Sequence, residues 1–205
     1  SLEKNIVGET HQKKIKRVSE FLKKNNSDYL FISSPENVAW LLNIRGFDNP
    51  NSPIPNCRLL INSKGNYYVI CAKKKLIKLI RERKIKKNQI IEPEMIEFLI
   101  SKINGGKIIV DDKSCSIFYE KLLKRKFKII KKNDPIYFFK SIKNKYEIQN
   151  MIQSHILDGV ALTKFLFWIK NVNKRKISEF NAQIKLEKLR KKNKKYLYPS
   201  FNTDR

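Results

Sequence analysis

The sequence predicts an α/β layer fold. Short runs of Ile, Val, Leu, Phe and Tyr alternate with segments whose apolar residues recur at helical spacing. Turn residues separate the two kinds of segment at close intervals, which favours βα alternation over an all-α or all-β chain. Hydrophobic residues make up 41% and charged residues 31%, too apolar for a disordered chain, so a buried core is expected within the 205 residues.

The elements follow in order. Residues 9–25 carry Ile15, Val18, Phe21 and Leu22 at helical spacing, and Asn25-Asn26-Ser27 ends that helix. Tyr29 to Ile32 reads as a buried strand. Ser34 can cap a helix that starts at Pro35 and continues through Val38, Ala39, Leu41 and Leu42. Gly46 breaks the pattern, and Asp48 to Asn56, with three prolines, must be an ordered loop or extended segment. Arg58 to Ile61 and Tyr67 to Cys71, joined by Asn62-Ser63-Lys64-Gly65-Asn66, predict a β-hairpin. A Lys-rich helix with Leu76, Ile77, Leu79 and Ile80 follows, then a brief strand at Ile90-Ile91. Pro93 opens a helix that Gly105-Gly106 closes. Ile108 to Val110 is a strand, 114–125 a helix and Phe127 to Ile130 a last strand.

The texture changes at Asn133-Asp134-Pro135. Ile136 to Ser141 reads as extended, and Tyr146 to Lys170 as one long helix. Ile148, Ile152, Ile156 and Val160 form its apolar stripe, widened by Ala161, Phe165 and Trp168. Gly159 sits mid-helix at a cost of about 1 kcal/mol relative to Ala, which suggests a backbone or bulky ring packed close to it. Ser178 starts a second helix bearing Phe180, Ala182, Ile184, Leu186 and Leu189. The expected domains are therefore 1–135, a complete α/β unit, and 136–205, two helices with no evident sheet to pack on.

Charge bounds the function classes. Lys and Arg number 45 against 19 Asp and Glu, a formal net charge of +26. Such a balance suggests nucleic acid first. Yet the Lys runs near 73–75, 84–87, 124–128, 131–132 and 191–195 are spread along the chain and not joined to Gly and aromatics in one motif. The simpler reading is a solvated Lys-rich surface with weak, salt-sensitive attraction for polyanions. A basic interaction or nucleic-acid-associated module is kept as the alternative. No window approaches the ~18 apolar residues of a membrane span, and the polar N-terminus lacks a signal-peptide core, so a cytoplasmic protein with no membrane partner is expected. Cys57, Cys71 and Cys115 form no CxxC pair, and His11 and His155 are the only histidines, which excludes zinc-ribbon and His-rich metal sites.

Three segments carry a resemblance. The first is Glu36-Asn37-Val38-Ala39-Trp40-Leu41-Leu42-Asn43-Ile44-Arg45-Gly46, followed by Asn51-Ser52-Pro53. The second is Ser141-Ile142-Lys143-Asn144 with Glu147, then His155-Ile156-Leu157-Asp158-Gly159-Val160-Ala161-Leu162. The third is Ile177-Ser178-Glu179-Phe180, Leu186-Glu187-Lys188-Leu189-Arg190 and Ser200-Phe201-Asn202-Thr203. In order and approximate spacing they resemble Xaa-Pro aminopeptidases of the aminopeptidase P, creatinase and prolidase superfamily, over about residues 12–203.

The resemblance implies a creatinase N-terminal-like domain, a mixed sheet flanked by helices, followed by the first helices of an incomplete pita-bread catalytic domain. It implies a metallopeptidase that releases the residue preceding proline from a peptide with proline in second position. Family members use two divalent ions, usually Mn²⁺, held by two Asp, one His and two Glu. Those ligands lie downstream of the third segment in the family. After residue 160 this chain has no His, one Asp (Asp204), and Glu179 and Glu187 as its further carboxylates, so no such set can be assembled. The chain is therefore expected to hold no catalytic residues or metal ligands and to be inactive alone; a homodimer is left open. Arg45 and Trp40 are the substrate-proximal candidates. Arg45 would pair with Asp48 or bond loop carbonyls, or else reach a cleft and hold a peptide carboxylate. Trp40 reads as core before substrate stacking, His155 as a packing or capping histidine, and Cys71 as a small core residue.

Overall fold

The computed structural model describes residues 2–173 and 176–199. The Ser200-Phe201-Asn202-Thr203 match and Asp204 lie outside them. The chain divides into two compact units, the first comprising residues up to Asn49 and Pro53–Lys143, the second Pro50–Ser52 and residues from Asn144 onward.

The first unit is built on six strands, β1 (Tyr29–Ile32), β2 (Arg58–Asn62), β3 (Tyr67–Ile70), β4 (Ile90–Ile91), β5 (Gly106–Val110) and β6 (Phe127–Lys131). They form one mixed sheet in the order β4-β3-β2-β1-β5-β6. The β1–β2 and β2–β3 pairs are antiparallel and the other three are parallel. The helices are α1 (Lys4–Val7), α2 (His11–Lys24), α3 (Pro35–Leu42), α4 (Ile77–Arg81), α5 (Ile96–Lys102), α6 (Ile117–Lys124) and α7 (Pro135–Ser141).

The middles of the central strands are continuously apolar because both sheet faces are covered. Leu30 and Ile32 of β1, Leu59 and Ile61 of β2, and Ile109 of β5 join one core with Ile15, Val18 and Leu22 of α2 and with Val38, Leu41 and Leu42 of α3. The intervening Phe31, Leu60, Ile108 and Val110 point into a second core with Ile96, Leu99 and Ile100 of α5 and with Leu122 and Leu123 of α6. Two-residue periodicity therefore feeds two cores at once, each fully buried side chain contributing about 1.5–3 kcal/mol.

Several boundaries differ from the sequence reading. Ile136 to Ser141 is helical, not extended. Asp134 caps this helix, accepting from the Ile136 N–H at 2.9 Å, and Pro135 takes its first position. Asp-Pro here is a helix start of the kind expected from capping and from the fixed proline φ, not a domain break. Pro135 and Ile136 are buried, and the first unit runs on to Lys143. Ser34 sits at the α3 N-cap without capping, because its hydroxyl is shared with Tyr137 Oη at 2.7 Å. The left-handed Asn43, not Gly46, ends α3. The Lys-rich helix begins as a 3₁₀ turn, Lys73–Leu76, before α4, and the Pro93 helix likewise begins as a 3₁₀ turn, Pro93–Met95. Gly106 opens β5 and does not close the preceding helix, which ends at Lys102.

In the second unit α8 (Lys145–Asn171) packs along α9 (Glu179–Arg190). Asn144 and Glu147, two residues of the second resemblance segment, form a reciprocal capping box. Asn144 Oδ1 accepts from the Tyr146 and Glu147 N–H groups, and Glu147 Oε2 accepts from the Asn144 N–H at 2.9 Å. Ser178 caps α9 through the Asn181 N–H at 3.2 Å. Ile148, Ile152, Ile156 and Val160 are exposed, while Ala161 is buried. A Cβ built on Gly159 meets nothing within 4 Å among the described residues, so the expected close neighbour is not there.

Candidate functional site

The first resemblance segment spans α3 and the loop after it. Asn43 takes a left-handed conformation, φ 55°, which short polar side chains tolerate. That geometry aims its side chain back at α2. The Lys14 ammonium, on the buried side of α2, donates to Asn43 Oδ1 at 2.8 Å and to the Trp40 carbonyl at 2.9 Å. Asn43 Nδ2 in turn donates to the Glu9 carbonyl at 2.8 Å. Lys14 is 1% exposed, and its Nζ lies 3.8 Å from the Trp40 ring centroid. One face of the Trp40 ring thus carries an internal cation. This favours the packing role for Trp40. Arg17, which pairs with Glu9 through both carboxylate oxygens, extends the cluster.

Arg45 follows on the exposed side, its Nη1 donating to the Ile44 carbonyl at 2.8 Å. The expected Asp48 partner is taken by Lys75 Nζ at 2.8 Å and by the Asn56 N–H at 2.7 Å, and the Lys75 bond holds the Asp48 carboxyl below its ordinary range. The loop closes tightly at Gly46, where a Cβ would stand 2.7 Å from Pro55 Cα and 2.8 Å from its nitrogen, both backbone atoms. Gly46 is therefore required by close approach, with its N–H donating to the Pro53 carbonyl at 3.1 Å.

A second polar group sits past the carboxyl ends of β1, β5 and β6. Asp134 accepts from Asn37 Nδ2 at 2.7 Å, and Lys140 Nζ donates to Asn37 Oδ1 at 2.6 Å. Burial pushes the Asp134 carboxyl up to about 6, against the bonds from Ile136 and Asn37, with Asp111 adding to the rise. Burial lowers the Lys140 ammonium. Asp111 itself accepts from the Lys113 N–H and the Ser114 hydroxyl, at 3.1 and 3.2 Å. These carboxylates are committed to a turn and a helix start, so the group ties α3 to α7 and is not arranged around a nucleophile.

The sequence reading gave no site role to Lys14, Asn37 or Asp134. Lys14 was findable: it lies on the same α2 face as Ile15, Val18 and Leu22. Cys71 and Cys57 are buried core residues, and burial pushes the Cys57 thiol up to about 12. His155 is exposed, its Nδ1 2.9 Å from the Met151 carbonyl one turn earlier. Among the described residues no three His, Cys, Asp or Glu side chains converge to hold a metal ion. In the second unit Asp158 is paired with Arg190 and Glu187 with Lys191, while Glu147 caps α8. These residues do not fit a dinuclear centre. No described helix is long and apolar enough to cross a membrane.

Comparison with known proteins agrees with this architecture. The family model of the creatinase/prolidase N-terminal domain matches residues 1–147. Xaa-Pro aminopeptidase 1 of Dictyostelium discoideum is 30% identical over 98% of this chain and 33% of its own length. An Xaa-Pro aminopeptidase of Drosophila melanogaster is 31% identical over 96% of this chain and 33% of its own. The crystal structure of an X-prolyl aminopeptidase from Caenorhabditis elegans, a cytosolic enzyme with a di-nuclear active site, superposes with a TM-score of 0.84 at 24% identity. It covers 98% of this chain, which covers 34% of it, and shows a shared fold. The chain thus spans about a third of the length of the curated relatives it matches. With the family model covering the whole six-stranded sheet and its helices, the chain belongs to the creatinase/prolidase N-terminal domain family.

Proposed function

We propose that this chain is the N-terminal portion of a dinuclear-metal Xaa-Pro aminopeptidase, which releases the N-terminal residue preceding proline, and that the chain by itself has no peptidase activity. The observation that carries this reading is the pattern of coverage: likeness along 98% of the chain takes in 33% of the Dictyostelium enzyme. In this reading α8 and α9 open a pita-bread catalytic domain. Downstream sequence covers their exposed apolar side chains and supplies the Asp, His and Glu ligands of two Mn²⁺ ions. Domain 1–135, extended by α7, is the accessory unit. Exposed Arg45 meets the carboxylate of the bound peptide, and Trp40 holds the loop through its packing. The same proposal takes the protein as cytoplasmic, with only weak, salt-sensitive attraction for polyanions across its surface at large.

The test is release of an amino acid from an Xaa-Pro-Xaa tripeptide in the presence of Mn²⁺. Two proteins are compared: the 205-residue chain, and the product of the same reading frame extended past residue 205. Metal-dependent release by the extended product alone supports the proposal. Release by the chain alone overturns its inactivity, and an extended frame without downstream Asp, Asp, His, Glu and Glu favours a non-catalytic interaction protein.

A further inference from the structure

One face of α2, the β2–β3 turn and the segment between α4 and β4 line an open concavity of about 530 Å³ in the first unit. Six cationic side chains line it: Lys16 and Lys23 from α2, Lys64 from the turn, and Arg83, Lys84 and Lys86 from the segment before β4. Glu20 is the single carboxylate among the lining residues and faces Lys16 at 3.9 Å, and Glu82, next to the lining, pairs with Lys84 at 3.2 Å. The three segments that supply these cations are far apart in sequence, so their convergence is invisible in the linear charge pattern.

The fold builds this concavity deliberately. Gly65, φ +86°, lets the β2–β3 turn cross α2 so closely that a Cβ would stand 3.2 Å from Ser19 Oγ. Arg83 takes a left-handed conformation, φ 55°, at the end of α4, with the Arg83 and Lys84 N–H groups donating to the Ile80 and Leu79 carbonyls. The buried Ile85 then anchors the segment, and Lys84 and Lys86 flank it. Buried Ile15 and Tyr67 lie beneath.

We propose that this cavity binds a compact small molecule carrying two or more adjacent phosphate groups. Cations from three chain segments around one concavity suit several negative charges in a small volume, and the cavity lies within the ~300–1,000 Å³ usual for small-molecule sites. A nucleic-acid strand is the weaker occupant, because the one aromatic lining residue, Tyr67, is buried and offers no open ring for base stacking. His11 borders the cavity, and burial and the Lys84 charge depress its ionisation. A bound polyphosphate would reverse the sign of that local field, which makes the imidazole a built-in reporter.

The experiment is calorimetric titration of the 205-residue chain with inorganic tripolyphosphate at about 0.1 M salt, with the His11 ring followed by NMR. Saturable one-to-one binding is expected, with an upward shift of the His11 titration midpoint. The variant Lys64→Gln/Arg83→Asn/Lys86→Gln should weaken binding at least about tenfold, with Asn chosen at 83 because it tolerates positive φ. The charge-matched control Lys113→Gln/Lys121→Gln/Lys128→Gln, on exposed positions elsewhere, should change it less than about twofold. Should the first triple variant fail to show the wild-type melting curve, Lys64→Gln alone, at the exposed turn, should still weaken binding about threefold. Equal losses in both triple variants, an unmoved His11 midpoint, affinity for monophosphate equal to that for tripolyphosphate, or tighter binding of a short single-stranded RNA would each overturn the proposal.

Discussion

Asp158 and Arg190, 32 residues apart, meet in a two-pronged ion pair: Nε donates to Oδ1 at 2.6 Å and Nη2 to Oδ2 at 3.0 Å. One belongs to the second resemblance segment and the other to the third. Two segments that carry the family resemblance thus supply the clasp of the α8–α9 hairpin. Lys185 adds a weaker tie, its Nζ 5.3 Å from the Trp168 ring.

The clasp makes a modest prediction. Asp158 and Arg190 are partly exposed, so solvent screens the pair, and its two-pronged geometry contributes about 1 kcal/mol at most. Arg190→Lys keeps the charge but loses the fork and should free α9 almost as much as Arg190→Ala does. Hydrogen exchange at the α9 amides measures this. Unchanged protection in Arg190→Ala would show that side-chain packing alone docks the helix.

A larger effect is expected at Lys14 and Asn43. Asn43→Ala removes the buried ammonium's side-chain acceptor and places a less tolerant residue at positive φ, a loss of about 3 kcal/mol. Lys14→Met keeps most of the stem and deletes the charge, so it should cost less. The double variant should cost less than the two singles summed, because one partner's removal already orphans the other. Chemical denaturation of all four proteins gives the coupling, and strict additivity would refute it.

Asp134 predicts a pH dependence. Its carboxyl moves from an ordinary 3.8 to about 6 in the folded chain, burial being the main cause. Below about pH 4 both states hold the proton and the group contributes no slope. Between about 4 and 6 the folded state keeps a proton that the unfolded state has lost, so stability falls as pH rises. Above about 6 the loss is complete, on the order of 3 kcal/mol for about two pKa units. Asp134→Asn should flatten this part of the curve. Denaturation midpoints of both proteins from pH 4 to pH 7.5 measure the difference, and parallel curves would contradict it.

The strands and long helices were legible because burial on both sheet faces leaves uninterrupted apolar runs such as Tyr29 to Ile32 and Ile108 to Val110. What escaped depends on contacts between distant segments. Asp134-Pro135 carries the same turn chemistry whether it ends a domain or caps a helix. Only the pocket that buries Ile136 decides, and that pocket is made by residues about a hundred positions earlier. Ser34 looked like a cap until Tyr137 arrived to share its hydroxyl. The Lys runs looked dispersed, since charge counted along the chain cannot register that Lys16, Lys64 and Lys86 face one cavity. Lys14 was hidden for the opposite reason. Its helix position places it inside, but lysine is so often solvated that its residue type outweighed its phase.

Gly159 separates the chain as it stands from the longer protein proposed above. A mid-helix glycine costs about 1 kcal/mol against alanine, and here no described atom lies within 4 Å of an added Cβ. In the 205-residue chain Gly159→Ala should therefore stabilise α8 by roughly that amount, seen as slower amide exchange on either side of position 159. The neighbouring Ile156 and Val160 are exposed, so nothing among the described residues covers their face of this turn, although Asp158 and the buried Ala161 face α9. If downstream sequence lays a strand or ring over this face, the glycine is there to admit it. The same substitution should then lose its benefit or become destabilising in the extended product. Gly46→Ala is the reference for a glycine already in close contact, and it should destabilise both proteins because Pro55 backbone occupies the added methyl's place. Equal stabilisation by Gly159→Ala in the short chain and the extended product would show that no later segment approaches this turn, and would remove α8 as the opening helix of a packed catalytic domain.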